Sequence, residues 1–325
     1  MLLLSRNDLK KVLSMREAID AVEKAFLEFY HERADVPLRT IIEIEKHNGF
    51  LLYMPSYLKE SEALAIKVVS LYAQNPKKGL PSVLATILLN DPETGKPLAL
   101  MEGTYITAMR TGAASGVATK YLARKDAKTV GIIGAGVQAR TQLWAICEVR
   151  EIEEALVYDL NENRAKAFAE EMSNKLGIEI LTASNPKEVA KNVDILIVAT
   201  TATRPVINGE WIQNGTHINS IGWMGKDARE LDSGTVKRSK LVVDSREGVL
   251  SESGDILIPI QEGIIDETHV YAELGELVAG VKAGREHEEE ITLFKSVGLA
   301  IEDAITAKLA YEKALKLGVG TEVTL

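Results

Sequence analysis

The run Val130-Gly131-Ile132-Ile133-Gly134-Ala135-Gly136-Val137-Gln138-Ala139 constrains this chain more than any other stretch. An apolar segment ending in G-x-G-x-x-A suits a strand, a tight turn and a helix start, the arrangement that holds a dinucleotide pyrophosphate. Gly134 permits the turn, Gly136 lets the backbone approach phosphate, and Ala139 is small enough for the helix to pack on its strand. The N–H groups and partial positive charge of the helix start then favour an anion. About 20 residues further on, such units place an acid that accepts hydrogen bonds from ribose hydroxyls. Here the apolar run Ala155-Leu156-Val157-Tyr158 is closed by Asp159. The other role open to Asp159 is N-cap of a helix over residues 161–176. As a ribose ligand it repels a 2′-phosphate, which points to NAD(H) ahead of NADP(H).

From Lys128 onward strands alternate with helices, the strands falling at 129–133, 155–158, 178–181, 193–198, 217–221 and 240–243. That alternation predicts a parallel, doubly wound sheet of the α/β class. Ligands bind such sheets at the carboxyl ends of the strands. Thr200-Thr201 and Ser220-Ile221-Gly222 stand there, either as cofactor contacts or as ordinary turns.

The first hundred residues follow another pattern. A capping box, Ser14-Met15-Arg16-Glu17, precedes apolar residues at helical spacing, Ala18, Val22, Ala25, Phe26 and Phe29, and one helix is expected over residues 6–33. Strand-like runs at 40–44 and 50–54 flank an Asn-Gly turn signal, and runs at 82–89 and 98–101 flank a polar turn. Between them lies the apolar strand 63–72, interrupted by Lys67. A lysine there is costly to bury unless an anion meets it; an edge-strand lysine reaching solvent is the alternative. Thr107-Ala108-Met109-Arg110-Thr111-Gly112 opens a helix of small residues running to about Arg124. Arg110, near the expected first turn, opposes the helix dipole, which favours an anionic ligand over a surface salt bridge. The stretch 291–300 reads as a strand then a turn, an amphipathic helix follows over 299–317, and that helix is expected to return to the N-terminal domain. The predicted organisation is a discontinuous α+β domain, 1–118 with 300–325, around a Rossmann domain, 119–299.

The formal net charge of −9 over 325 residues disfavours nucleic acid or an anionic membrane as partner. One cysteine, Cys147, allows no internal disulfide and fits a reducing cytoplasm. The opening Met1-Leu2-Leu3-Leu4-Ser5 is short for a signal peptide, and no run approaches the roughly 18 apolar residues of a membrane span. Five dispersed histidines show no metal-ligand spacing, so no metal is expected.

Taken together, Pro37-Leu38-Arg39, Lys67, Gly79-Leu80-Pro81-Ser82, Met109-Arg110-Thr111-Gly112-Ala113, Gly134-Ala135-Gly136-Val137-Gln138, Arg229-Glu230-Leu231-Asp232 and Phe294-Lys295-Ser296-Val297-Gly298 resemble the ornithine cyclodeaminase and mu-crystallin family over almost the whole chain. The resemblance implies a homodimer built through the N-terminal domain and a substrate pocket between that domain and an NAD(P)-binding one. It implies that Arg39, Lys67 and Arg110 gather around a substrate carboxylate, with Lys67 close to the reacting nitrogen. It also implies cofactor contacts from Ser82, Arg110, Thr111, Gly134, Gly136, Val137, Gln138, Asp159, Thr200, Ile221 and Val297.

Members of this family cyclise ornithine, oxidise alanine, reduce cyclic ketimines or, in the crystallin branch, bind ligands. Cyclodeaminases and the archaeal alanine dehydrogenase of the family carry an aspartate six residues before the glutamate matching Glu230, where this chain has Met224. Asp227, preceded by Lys226, instead resembles the pattern of the ketimine reductases. Without a carboxylate at 224 to act as general base, both deaminating readings weaken. The glutamate that cyclodeaminases place before their Met-Pro pair is also missing from Leu52-Tyr53-Met54-Pro55. The expectation is therefore an NAD(P)H-dependent reductase of a small cyclic imino acid, 1-pyrroline-2-carboxylate going to L-proline. Ornithine cyclodeaminase, alanine dehydrogenase and a non-enzymatic NADP- or hormone-binding protein are the alternatives.

Overall fold

The computed structural model describes residues 1–222 and 225–324, which divide into two compact units, Met1–Arg110 with Leu299–Leu325 and Thr111–Gly298. The Met224 position weighed above lies outside the described residues. Strands β1 (Leu2–Leu4), β2 (Ala34–Asp35), β3 (Thr40–Ile44), β4 (Gly49–Leu58), β5 (Ala63–Tyr72), β6 (Val83–Asn90) and β7 (Pro97–Glu102) belong to the first unit. The second holds β8 (Thr129–Ile133), β9 (Glu154–Tyr158), β10 (Glu179–Thr182), β11 (Ile195–Val198), β12 (His217–Ser220), β13 (Ser239–Val243), β14 (Val270–Glu273) and β15 (Ile291–Lys295). A short β16 (Thr321–Glu322) returns to the first.

In the first unit the sheet runs β16-β1-β7-β6-β5-β4-β2, with β3 also paired to β4. β4 and β5 form its long hairpin, in register from Gly49 opposite Tyr72 to Leu58 opposite Ala63. The buried carboxylate of Glu28 fixes the hairpin end by accepting the N–H groups of Glu60 and Ser61, each at 3.2 Å. The helix expected over 6–33 is instead two, Arg6–Val12 and Met15–Tyr30. Ser14, read as the start of a capping box, takes extended backbone angles in order to cap, so no helix can pass through it. The C-terminal helix Ala300–Leu317 packs on Met15–Tyr30 and on β4 and β5, which buries one face of the sheet.

The helix of small residues spans Gly103–Leu122. Glu102 accepts the N–H groups of Thr104 and Tyr105 and so starts the helix earlier than predicted. Arg110 consequently lies in the helix interior, away from the first turn, and the dipole argument for it fails.

The second unit is a fully parallel sheet in the order β10-β9-β8-β11-β12-β15-β13-β14. The strand order reverses between β8 and β11, the place where open α/β sheets bind ligands. The sheet is not complete before the C-terminal segment, because β15 inserts between β12 and β13. The edge strand β14 was not anticipated; its four residues offer too little period to read. No helix among the described residues is long and apolar enough to cross a membrane.

His217 on β12 is fully buried, its Nδ1 lies 3.0 Å from the hydroxyl of Thr292 on β15, and burial pushes its pKa down to about 3. The unfolded chain takes up this proton near pH 6.5, so the contribution of a neutral His217 to stability is lost as pH falls from 6.5 towards 3. His217→Gln is expected to flatten the fall of unfolding free energy between pH 6.5 and 5 by up to about 1.4 kcal/mol per pH unit, read from denaturant titrations. An unchanged slope would contradict a buried neutral imidazole.

Candidate active site

Chemistry-bearing side chains collect in two places, one in each unit. In the first, the burial pattern of β5 puts Ala63, Ala65, Lys67 and Val69 on the inner face, under the C-terminal helix. Lys67 is 2% exposed, and its cross-strand neighbours, Met54 on β4 and Ile87 on β6, carry no charge. Its Nζ meets Asp303 Oδ2 at 2.5 Å. At this distance one N–H of the ammonium points at the Asp303 oxygen, which leaves the other two for a further acceptor. The other Asp303 oxygen accepts Arg110 Nε at 3.1 Å, and Arg110 Nη1 donates to Glu302 at 2.9 Å. Glu302 also accepts the N–H of Leu299 at 2.7 Å, which ties it to the helix start. Two acids in the first turn suit the helix dipole as well as the cations.

Burial, the charge of Arg110 and, more weakly, that of Arg39 push the Lys67 pKa down, Asp303 pulls it up, and the balance is about 8. Lys67 and Arg110 are therefore brought together by Asp303, and the half-buried Arg39 is near enough for its charge to act on Lys67. Neither an edge-strand lysine nor a surface salt bridge describes what is found. Glu302 and Asp303 went unread in the sequence. The available signal was two acids on a helix turn whose other residues, Ile301, Ala304 and Ile305, are all apolar.

The second place is the carboxyl end of the parallel sheet. Gly134 takes φ +95°, and a Cβ there would lie 2.4 Å from the carbonyl oxygen of Ala199 and 3.1 Å from Thr200 Cγ2. The turn thus abuts the end of β11 at the point where strand order reverses. Nothing lies within 4 Å of a Cβ built on Gly136, and no side chain caps the helix Val137–Val149 that follows. Val137 is 53% exposed, and Gln138 Oε1 is buried without a hydrogen-bond partner. Open backbone, an uncapped helix start and an unsatisfied acceptor are what a dinucleotide would complete, so the residues fit that cofactor. Asp159 braces the turn by accepting the Ala135 N–H at 2.9 Å, and the N-cap of Glu162–Leu176 is Asn161.

Buried carboxylates hold the neighbouring loops. Glu230 Oε1 accepts both the N–H and the hydroxyl of Thr200 at 2.6 Å. Asp255 accepts the N–H groups of Glu230 and Leu231 at 2.8 Å and pairs with Lys295 Nζ at 2.6 Å. Lys295 donates in turn to the Gly222 carbonyl at 2.6 Å, next to Ile221. Gly222 has no room for a side chain, since a Cβ there would fall 1.9 Å from Glu230 Oε2. Asp244 accepts the N–H groups of Val297 and Gly298, at 2.8 and 2.6 Å. The Thr200, Ile221 and Val297 loops are thereby fixed within one unit. Thr111 gives its carbonyl to Gln142 Nε2 at 3.0 Å, while Ser82, in the other unit, accepts the Tyr72 N–H at 2.8 Å just before β6. Burial pushes the Cys147 thiol up to about 12, which disfavours its thiolate form.

Residues 1–318 match the model of the ornithine cyclodeaminase/mu-crystallin family, and the chain belongs to that family. A solved structure of Thermococcus litoralis Delta(1)-pyrroline-2-carboxylate reductase in complex with NADH and L-proline is 75% identical, with a TM-score of 0.98, over 99% of this chain and 100% of the other. The Delta(1)-pyrroline-2-carboxylate reductase of Bacillus cereus is 43% identical over 99% of both chains. An archaeal alanine dehydrogenase dimer with bound NAD is 41% identical, with a TM-score of 0.93, over 100% of this chain and 99% of that one.

Burial, with the nearby charge of Asp255, raises the Glu230 carboxyl to about 7, although Lys295 and Thr200 oppose the shift. The unfolded carboxyl ionises near 4.5, so this group's contribution is greatest below that pH and is lost as pH rises through 7. Glu230→Gln keeps an acceptor for Thr200 and removes the titration. Its melting temperature relative to the parent chain is expected to be higher at pH 8 than at pH 5, and an equal difference at both pH values would refute the raised pKa.

Proposed function

We propose that this protein reduces 1-pyrroline-2-carboxylate to L-proline with NADH. The observation that carries the reading is the cluster of Lys67, Arg110 and Asp303, in a chain 75% identical to a reductase solved with NADH and L-proline. NADH supplies a hydride to the imine carbon. The nitrogen must hold a proton for that carbon to accept it, and Lys67, with a pKa of about 8, is the donor suited to neutral pH. Arg110 and Arg39 supply the charge that holds the carboxylate. The glycine turn and the start of Val137–Val149 take the pyrophosphate, Gln138 closes over it, and Asp159 receives the ribose hydroxyls. Thr111, Thr200, Ile221 and Val297 line the remainder of the cofactor's path.

We also infer a homodimer in the cytoplasm. The outer face of the first unit's sheet is apolar and only partly covered: Leu51, Tyr53, Pro55, Ile66, Val68 and Leu88 are half-buried and Leu84 is 41% exposed. A second copy of the chain is the partner that fits, and the archaeal alanine dehydrogenase relative is a dimer. The single cysteine suits a reducing compartment. Light scattering is expected to give twice the chain mass, and an active monomer would overturn the dimer.

The function is tested by following nicotinamide oxidation with 1-pyrroline-2-carboxylate, with its six-membered homologue, and with pyruvate plus ammonia, and nicotinamide reduction with ornithine. The five-membered imine is expected to react best, and NADH to outperform NADPH because Asp159 opposes the extra phosphate. Lys67→Ala is expected to lose about 10² to 10⁴ in kcat while still binding NADH. Preference for pyruvate and ammonia, or ammonia release from ornithine, would replace this reading by one of the alternatives.

A further inference from the structure

One carboxylate touches both the candidate proton donor and the candidate carboxylate clamp. Asp303 presents Oδ2 to Lys67 Nζ at 2.5 Å and Oδ1 to Arg110 Nε at 3.1 Å, and all three side chains are buried. We propose that Asp303 is a positioning residue that sets the spacing between Lys67 and Arg110 and keeps the Lys67 ammonium charged. The proposal rests on the reading of Lys67 as proton donor.

Lys67 comes from a strand and Arg110 from the interior of a helix, and neither element fixes the distance between their charged ends. Like charges brought this close repel, and each cation lowers the other's tendency to hold a proton. An anion shared between them removes the repulsion and holds both at one separation. Asp303 is well placed because it stands in the first turn of Ala300–Leu317, where the dipole favours a carboxylate. Glu302 does different work: it is bound to Arg110 and to the N–H of Leu299.

Among the described residues, the charged groups acting most strongly on Lys67 are Arg110 from the helix Gly103–Leu122, Asp303 from the C-terminal helix and Arg39 from the segment before β3. Two of the three are cations, and burial works in the same direction as they do. Asp303 is thus the group that opposes discharge of the ammonium. Asp303 takes one of the ammonium's three N–H groups, so the other two stay available to another acceptor. A substrate nitrogen reaching Lys67 takes a proton from one of these two, and the resulting neutral amine is recharged from solvent.

The test is the pH dependence of kcat/KM for 1-pyrroline-2-carboxylate at saturating NADH, for the parent chain and for Lys67→Met, Asp303→Asn and Asp303→Glu. The parent is expected to lose activity above a limb near pH 8, and Lys67→Met to lack that limb. The substrate's own ionisation is common to all four proteins. Asp303→Asn is expected to move the limb to lower pH by roughly one to three units, the usual effect of losing an opposite charge at contact, and to raise KM by loosening Arg110. Asp303→Glu keeps the charge with a longer reach, so its limb is expected to stay in place while kcat falls; it carries the test if the amide variant does not fold. A uniform loss of rate in Asp303→Asn with the limb unmoved, or a limb that moves equally in Asp303→Glu, overturns the positioning role alone. A parent profile without a Lys67-dependent limb overturns the donor reading, and the proposal with it.

Discussion

A lysine ammonium shut away from water is the constraint on which the first unit depends. Removing such a charge from solvent costs several kcal/mol unless a counter-charge meets it at contact distance. The sheet supplies the burial, because β5 turns Lys67 towards the face that the C-terminal helix covers. The same helix supplies the remedy, since its first turn carries Glu302 and Asp303. The chain leaves the first unit at Arg110 and comes back to it at Leu299, bringing both acids with it. Without the returning helix, Lys67 and Arg110 would lose the carboxylates of Glu302 and Asp303.

The second unit solves a related problem with opposite charge. Parallel strands end in loops that must stay near a ligand without a helix or strand ladder to define them. Here Glu230, Asp255 and Asp244 hold those loops by accepting backbone N–H groups, and Lys295 draws the Gly222 carbonyl towards the same cluster. The raised pKa of Glu230 records the cost of the arrangement.

The parallel sheet and its glycine turn were legible because they rest on local rules: apolar runs of strand length, a G-x-G-x-x-A turn, and an acid at the proper distance. Lys67 was legible as an anomaly, a charge in an apolar run. Its partner was not, because Asp303 lies over two hundred residues away in sequence and no local rule joins a strand lysine to a distant helix start. The break at Ser14 was hidden for another reason, since helical spacing of apolar residues continues across a cap that interrupts the backbone. Arg110 was noticed for a reason that fails, its supposed place in a first turn, while the contacts that make it notable are tertiary. The insertion of β15 between β12 and β13 was likewise beyond reach, because strand order is a property of the whole sheet.

The proposed reaction joins a proton from Lys67 to a hydride from a nicotinamide cofactor. The reduction leaves a label that no competing chemistry reproduces. NADH deuterated at the transferring carbon, incubated with 1-pyrroline-2-carboxylate and this protein, is predicted to give L-proline carrying one deuterium on its α-carbon, read by mass spectrometry. Proline without deuterium, or NADH consumed with no proline formed, would contradict the account.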